Sequence, residues 1–501
     1  MFKKSLNFIF LFFSIIFLLP IIQSFYYPIE LEARESTLWL HIITIADGIN
    51  IYDPSKVSYA NQAHGPIDPI FKYLIYKLFP FLEPWQVSRL NNIFLYFSIF
   101  LVNFFVFKKS NNFTFIIFLS LLIYSFIFLL TKTFQGRADI TAMLLLSVLC
   151  YLCSNKYIYK DNLNLLFVTF LVSIIIMTNW RFFPYCLAIG LFPKIFEKKI
   201  MNILNLKNIY FYLVFFILIL IPFIIILYIF FHLNLQKYYN YFVNFFYFEN
   251  HFSTQHYIGG LKNIIRIEKI YFLLILQILV VFNILKNFKL IFFEKFIVIT
   301  ISLLVTLTCF VSYLYNYIGG GIYYFTPLVF FIWYLIMFFY KNHKFNFNFR
   351  HINFYLFLFV SVFVISVAIK NSLKSSIGIF KSYSNAINLH NYLTILYDTN
   401  TSILSESLHF HKNKYSNEKI DIGDLISYRS SQIGGEYEKT YKSHLNNISN
   451  GKYEYIIHNF TGSKLIDNLI TTGKYKVIKT FSGIYSNIGE VLILRKNILS
   501  K

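Results

Sequence analysis

Three carboxylates follow the first apolar segment of the chain, at Glu30, Glu32 and Glu35. The chain has only 23 acidic residues among 501, so three within six positions are unusual for it. A carboxylate beside a substrate can accept or return a proton, as a general base or acid does. The alternative for Glu35 is a helix first-turn acid stabilised by the helix dipole, and for Glu30 and Glu32 a solvated position in a loop.

Arginines and one histidine lie in the same or neighbouring outer loops. An arginine side chain can bind two oxygens of a carboxylate or phosphate at once. Arg89 introduces the second apolar segment, Arg137 belongs to Gln-Gly-Arg-Ala-Asp, and Arg181 follows Thr-Asn-Trp. Each also has an ordinary structural interpretation. Arg137 can be an interfacial anchor, Arg181 an aromatic-belt anchor, Asp139 a helix N-cap and His64 a loop histidine.

The elements that must position these residues are membrane spans. The chain is 57% hydrophobic and 14% charged, with a mean hydropathy of +0.57, which is too apolar for a soluble protein of this length. A helix needs about 20 apolar residues to cross the membrane. About eleven such segments are predicted, near 8–25, 91–107, 113–131, 139–154, 164–179, 182–196, 208–232, 268–286, 291–314, 323–340 and 352–369.

Lysines orient the spans, because cytoplasmic loops carry an excess of positive charge. Alternate connections are lysine-rich, at 108–109, 156–160, 194–207, 286–289 and 341–350, and they share a side with Lys3 and Lys4. The pattern predicts a cytoplasmic N-terminus, an uncleaved signal anchor and an extracytoplasmic C-terminus in a cell inner membrane. It explains most of the basic excess, and no nucleic-acid partner is indicated.

The first outer loop, 26–90, is predicted to contain two interfacial helices. The first runs from Ser36 to Ala46 and ends near Gly48, with an apolar face of Leu38, Trp39, Ile42, Ile43 and Ala46. The second begins with Asp68 as N-cap before Pro69. Its apolar face is predicted as Ile70, Phe71, Leu74, Ile75 and Leu78, with Lys72 and Lys77 directed away from it.

Composition changes after Lys370. Short strands are predicted at 451–459, 475–481 and 489–495, and helices near 381–396 and 437–448. The sequence thus predicts an α-helical polytopic membrane domain, 1–370, followed by a small extracytoplasmic α/β domain, 371–501. All four cysteines fall in apolar spans, so no disulfide framework is indicated.

The outer loops also carry motifs in a specific order. A carboxylate after the first span is followed by an interfacial helix, Gly48–Tyr52 as Gly-x-x-x-Tyr, Gly65-Pro66, a second interfacial helix and Arg89. The next outer loop contains Arg137-Ala138-Asp139, and Ile403-Leu404-Ser405-Glu406 follows in the tail. This layout resembles the GT-C superfamily of membrane glycosyltransferases, which includes the protein mannosyltransferase and lipid A aminoarabinose transferase families.

The resemblance implies transfer of a sugar from a polyprenyl-phosphate donor to a lipid, glycan or protein acceptor, on the outer face and among membrane lipids. Many relatives have an acidic pair where this chain has Arg34-Glu35, so a divalent metal ion stays open and no cofactor is assigned. The resemblance also implies the site residues. They are Glu35 and then Glu32 as the catalytic base, with Arg137, Asp139, Arg181, His64 and Arg89 in substrate binding.

The sequence disfavours other functions of a polytopic membrane protein. A transporter or flippase is disfavoured because the spans hold few charges and lack paired Gly/Pro-broken helices. A surface-polysaccharide polymerase or ligase would place its arginines in a large late outer loop, whereas the 233–267 loop is short and arginine-poor. A non-catalytic scaffold would leave the acids of the first loop unexplained.

The predicted orientation can be measured by cysteine labelling in intact cells. A membrane-impermeant maleimide should label Ile420→Cys, in the extracytoplasmic tail, and should not label Lys198→Cys, in a lysine-rich connection. The unsubstituted protein is the control, because its own cysteines lie in apolar spans. Labelling of position 198 alone would reverse the orientation.

Overall fold

The structure is a computed structural model. It describes residues 2–31, 35–53, 65–108, 113–197, 206–234, 258–260, 262–264, 267–287, 290–315, 322–343, 352–399, 401–405, 420–422, 436–458, 464–485 and 490–497. These residues form a helical bundle and a small C-terminal sheet. The helices up to residue 398 are α1 (Phe2–Tyr26), α2 (Glu35–Ala46), α3 (Ile67–Leu78), α4 (Pro84–Phe107), α5 (Phe113–Thr131), α6 (Ala138–Cys153), α7 (Asn162–Thr178), α8 (Phe183–Glu197), α9 (Leu206–Phe231), α10 (Glu268–Asn287), α11 (Phe292–Tyr315), α12 (Thr326–His343) and α13 (Ile352–Asp398).

Every predicted span has a helix at its position. Eight of the described helices are long and apolar enough to cross a membrane, namely α1, α4, α5, α9, α10, α11, α12 and α13. The other three are shorter, with 16 residues in α6, 17 in α7 and 15 in α8. The multi-pass architecture is therefore confirmed, whereas the number of eleven spans stays a prediction.

Two helices form the centre of the bundle. Nearly every side chain of α5 is buried, and so are the residues of α12 from Leu328 to Phe339. Polar contacts connect them through α4: Trp333 Nε1 donates to Asn103 Oδ1 at 2.8 Å, and the Asn103 amide donates to Ser120 at 2.9 Å. Such hydrogen bonds hold helices together where hydrocarbon provides no hydrophobic driving force between them. In contrast, α9 exposes most of its apolar surface.

Helices α2 and α3 occupy the positions predicted for the two interfacial helices. In α2, Leu38, Trp39, Ile42 and Ile43 are buried, whereas Ala46 is exposed. Gly48 has a φ of +71°, the left-handed conformation expected of a glycine after a helix.

The apolar face predicted for α3 is divided in the structure. Leu74 and Leu78 are exposed, whereas Ile75 is buried. Asp68 and Lys72 are buried as well, a burial of polar groups that was not predicted. Asp68 also lies inside the first turn, after Pro66 as N-cap.

The tail begins on the last membrane helix without a break. At 47 residues α13 is about 70 Å long, more than twice the thickness of hydrocarbon. The predicted domain boundary at 370 lies within this helix, so the two predicted domains share it. Near its middle, a Cβ on Gly378 would lie 2.3 Å from the Tyr485 ring, and the Tyr485 amide donates to Tyr27 Oη at 3.0 Å.

Five strands form the C-terminal sheet in the order β2-β1-β3-β5-β4. The strands are β1 (Ile403–Ser405), β2 (Ile420–Ile422), β3 (Tyr455–His458), β4 (Tyr475–Phe481) and β5 (Val491–Lys496), and the helices of this region are α14 (Glu436–Ser449) and α15 (Lys464–Thr471). The pairs on β1 are parallel, and those on β5 are antiparallel. The three predicted strands correspond to β3, β4 and β5. Of the two predicted helices, 437–448 corresponds to α14 and 381–396 is the last part of α13, whereas α15 was not predicted.

The outer half of α13 should be required for the tail to fold. Leu389 and Leu393 belong to the same buried cluster as Ile457 and Ile493 of the sheet, and Tyr397 Oη bonds to Ser405 at 2.8 Å. A fragment of residues 372–501 should therefore be soluble and folded by circular dichroism, whereas residues 401–501 alone should not fold. A folded 401–501 fragment would show that the sheet does not depend on the helix.

Candidate active site

Glu35 and Arg89 form a fully buried ion pair at the C-terminal end of α1. Arg89 Nη2 lies 2.7 Å from Glu35 Oε2, and Nε lies 3.3 Å from Oε1, so the pair has two bonds. The backbone N–H of Leu31 donates to Oε2 at 2.6 Å, and that of Gly136 donates to Oε1. This one carboxylate therefore connects the first outer loop, α2, α4 and the second outer loop.

Arg89 also supports the chain leaving the first span. It donates to the carbonyl of Ser24 at 2.6 Å, to that of Ile29 at 2.7 Å, and also to that of Tyr27. Its guanidinium lies 5.5 Å from the Trp39 ring centroid. Helix α4 presents Arg89 from a defined start, because Glu83 forms a capping box with Gln86 just before Pro84. Arg89 thus organises the backbone around Glu35.

This geometry bears on the roles predicted for the two residues. Both side chains are completely buried, and Glu35 is bonded on both oxygens. In this structure Glu35 has no open side for an acceptor hydroxyl, and Arg89 has none for a substrate phosphate. The contacts favour a structural role for the pair, and the catalytic role of Glu35 stays a prediction.

A second group of predicted residues lies together where α6 and α7 meet. Arg137 Nη2 is 3.2 Å from Asp139 Oδ2, and Asn179 Nδ2 donates to Asp139 Oδ1 at 2.5 Å. Arg181 Nη1 donates to Tyr323 Oη at 3.4 Å. The structure thus brings together Arg137, Asp139 and Arg181, which lie in separate outer segments of the sequence.

Two tyrosines complete this group. The Arg137 guanidinium lies 4.5 Å from the Tyr323 ring centroid, and that of Arg181 lies 4.6 Å from the Tyr324 centroid, which are cation–π distances. Both rings belong to the turn Ile322–Phe325, which comes directly before α12. The sequence prediction missed both tyrosines and Asn179. Asn179 stands two residues before Arg181, but an isolated Asn carries little signal in a chain so rich in Asn.

These residues enclose a small cavity. Asp139, Asn179, Arg181, Tyr323 and Tyr324 line it together with residues of α8, α11 and α12. Its volume is about 20 Å³, enough for about one water molecule. Asp139 is almost buried, with 4% of its side chain exposed, while Arg137 is 18% exposed. We call Arg137, Asp139, Asn179, Arg181, Tyr323 and Tyr324 the outer cavity site.

A second buried polar network, which was not predicted, lies next to the site between α3, α4 and α6. Lys72 Nζ is 2.9 Å from Asp68 Oδ2, with both side chains at most 1% exposed. Thr141 donates to the other Asp68 oxygen, and the Asn91 amide donates to Thr141 at 2.8 Å. The network ties α3 to α4 and to α6, two residues after Asp139.

The outer cavity site does not fit a divalent cation. Asp139 is its one carboxylate, and one oxygen of that carboxylate is paired with a guanidinium, a set of neighbours that repels a metal ion. The described residues contain no group of three or more His, Cys, Asp or Glu side chains that could hold a metal. Glu32 and His64, also predicted as site residues, lie outside the described residues.

The structural role of the Glu35–Arg89 pair can be measured as stability. Glu35→Gln should lower the free energy of unfolding by about 3–5 kcal/mol, because it leaves the Arg89 charge buried without its partner. Glu454→Gln is a matched control, since it breaks the exposed pair with Arg495 and should cost about 0–1 kcal/mol. Thermal unfolding of the purified protein in detergent would compare them. An unchanged melting temperature together with abolished activity would instead favour Glu35 as a catalytic base.

Comparison with known proteins shows a likeness to a solved structure. No family model and no curated protein matches the chain. Among solved structures, the chain is similar to ArnT from Cupriavidus metallidurans bound to undecaprenyl phosphate. The TM-score is 0.53 and the identity 10%, over 99% of this chain and 98% of that one. At this identity the likeness concerns the fold. The chain is therefore an integral multi-pass membrane protein with an ArnT-like fold.

Proposed function

We propose that the protein is a glycosyltransferase that moves a sugar from a polyprenyl-phosphate donor to a lipid, glycan or protein acceptor on the outer face of the membrane. The observation that carries the proposal is the outer cavity site, in which two arginines flank a carboxylate. ArnT, which has the same fold, was crystallised with undecaprenyl phosphate. A shared fold alone does not establish a shared function, so the proposal depends on the residues of the site.

The arginines provide what a phosphate leaving group requires. In transfer from a polyprenyl phosphate, the bond between the sugar C1 and the phosphate oxygen breaks, and negative charge grows on the phosphate. Two guanidiniums beside that oxygen stabilise the charge as it develops. Arg137 and Arg181 lie against the rings of Tyr323 and Tyr324, which keep both guanidiniums at the site.

Asp139 is the carboxylate that we propose as the base. An acceptor hydroxyl must lose its proton as its oxygen bonds to C1, and a carboxylate within hydrogen-bond reach can take it. Asp139 lines the cavity, whereas Glu35 is enclosed by Arg89 and two backbone N–H groups. When Arg137 turns to the donor phosphate, Asp139 Oδ2 becomes available to the acceptor. The Asn179 amide on Oδ1 keeps the carboxylate in place.

The donor can be identified before any transfer is assayed. Lipid extracted from the purified protein should contain a polyprenyl-phosphate hexose or pentose by mass spectrometry, and this compound then serves as the donor in the next experiment. A transporter or flippase would also retain such a lipid, but it would not release the free polyprenyl phosphate in the presence of an acceptor extract.

Substitutions then separate the proposed roles. Asp139→Asn should reduce turnover by about 10²–10⁴ while donor binding is retained, because the base is lost and the shape is kept. Arg137→Gln and Arg181→Gln should each weaken donor binding by about 1.5–3 kcal/mol, because a hydrogen bond to a charged group is lost. Arg495→Gln, on the exposed face of β5, is the control and should match the unsubstituted protein.

The outcomes are distinct. Normal turnover in Asp139→Asn, with a stable but inactive Glu35→Gln, would transfer the role of base to Glu35. If both were active, Glu32 would become the candidate. Unchanged donor affinity in both arginine variants would show that the donor phosphate does not bind at the outer cavity site.

A further inference from the structure

A separate cleft opens between α5, α10 and α13. Its volume is about 400 Å³, and apart from one lysine its lining is apolar, with the aromatic rings of Phe126, Phe272 and Phe363. The rings of Phe272 and Phe363 contact each other with centroids 4.6 Å apart. The cleft lies between membrane-spanning helices, so the surrounding solvent for its apolar walls is lipid.

One lysine lines the cleft, and a second lies near it along the chain. Lys269, at the start of α10, lines the cleft and donates to the Leu129 carbonyl at 3.4 Å. Lys132 follows the last residue of α5 and is exposed, three residues after the Leu129 carbonyl that accepts from Lys269, so the two positive charges repel each other. Within the described part of the chain, no carboxylate pairs with either ammonium group.

The backbone at Lys132 points to a use for its charge. Its φ is +51°, the left-handed conformation that glycine adopts without cost and other residues do not. A cation near the C-terminus of α5 is favourable, but Lys269 already bonds to a carbonyl there. A second cation beside the first adds repulsion unless an anion lies between them.

We propose that this cleft binds an anionic phospholipid, with one acyl chain along the apolar walls and its phosphate between Lys132 and Lys269. The two lysines complement a negatively charged headgroup. The volume is at the lower end of the roughly 300–1,000 Å³ typical of small-molecule sites, which suits one acyl chain better than a long polyprenyl chain. The proposal does not depend on the transferase activity.

A lipid bound in the cleft would affect the outer cavity site through the turn Ile322–Phe325. Ile322 lines the cleft, and the next two residues, Tyr323 and Tyr324, contact Arg137 and Arg181. A lipid chain against Ile322 therefore supports the turn that holds the two arginines.

Native mass spectrometry of the purified full-length protein tests the proposal. The protein is incubated with phosphatidylglycerol or with phosphatidylcholine carrying the same acyl chains. The unsubstituted protein should retain one phosphatidylglycerol in preference. Lys132→Gly and Lys269→Gln should each reduce that preference about fivefold, the effect expected of one lysine near an anionic headgroup. Lys132→Gly also suits the left-handed backbone, so a loss of binding would not reflect misfolding.

Two further variants control the result. Lys286→Gln removes an exposed lysine in the last turn of the same helix α10 and should leave the preference unchanged. Val367→Phe narrows the cleft and should reduce retention of both lipids. Equal retention of the two lipids, or an unchanged preference in the Lys132→Gly, Lys269→Gln double variant, would overturn the proposal. Displacement of phosphatidylglycerol by a polyprenyl phosphate would also overturn it, because the cleft would then be part of the binding site for the sugar donor.

Discussion

The buried pair of Glu35 and Arg89 is the interaction on which the candidate site and the loops around it depend. A charge taken out of water is costly unless it is paired and its remaining hydrogen bonds are made, and here both conditions are met. The same bonds bring the second outer loop into position, because the Gly136 N–H donates to Glu35. A Cβ at Gly136 would lie 2.6 Å from Ser88 Oγ and 3.2 Å from Glu35 Oε1, so only glycine allows this approach. Arg137 and Asp139 follow directly and take their positions from it.

Much of the fold could be predicted from the sequence, because long apolar runs and interruptions by lysine are signals within a single segment. The strands of the tail were predictable for the same reason. The buried face of α3 could not be predicted in this way, since the burial of Lys72 depends on Asp68, Thr141 and the apolar surroundings of the helix.

The candidate site was predictable only in part. Arg137, Asp139 and Arg181 were identified from type and position, and they do lie together. What each side chain touches could not be predicted: Glu35 and Arg89 were placed in catalysis and substrate binding, yet they bind each other. Tyr323 and Tyr324 were missed, because a tyrosine among 40 tyrosines becomes informative only when its ring lies on a guanidinium. Similarity of fold at 10% identity does not supply such contacts, so they must be established in the chain itself.

The continuous helix α13 has a mechanical consequence. The glycine that could act as a joint, Gly378, instead admits the Tyr485 ring, and Tyr485 is bonded to Tyr27 at the end of the first span. Helix α13, which runs from the membrane domain to the sheet, therefore has no hinge at Gly378. These contacts hold the end of α1, the middle of α13 and the loop after β4 at a fixed distance from one another.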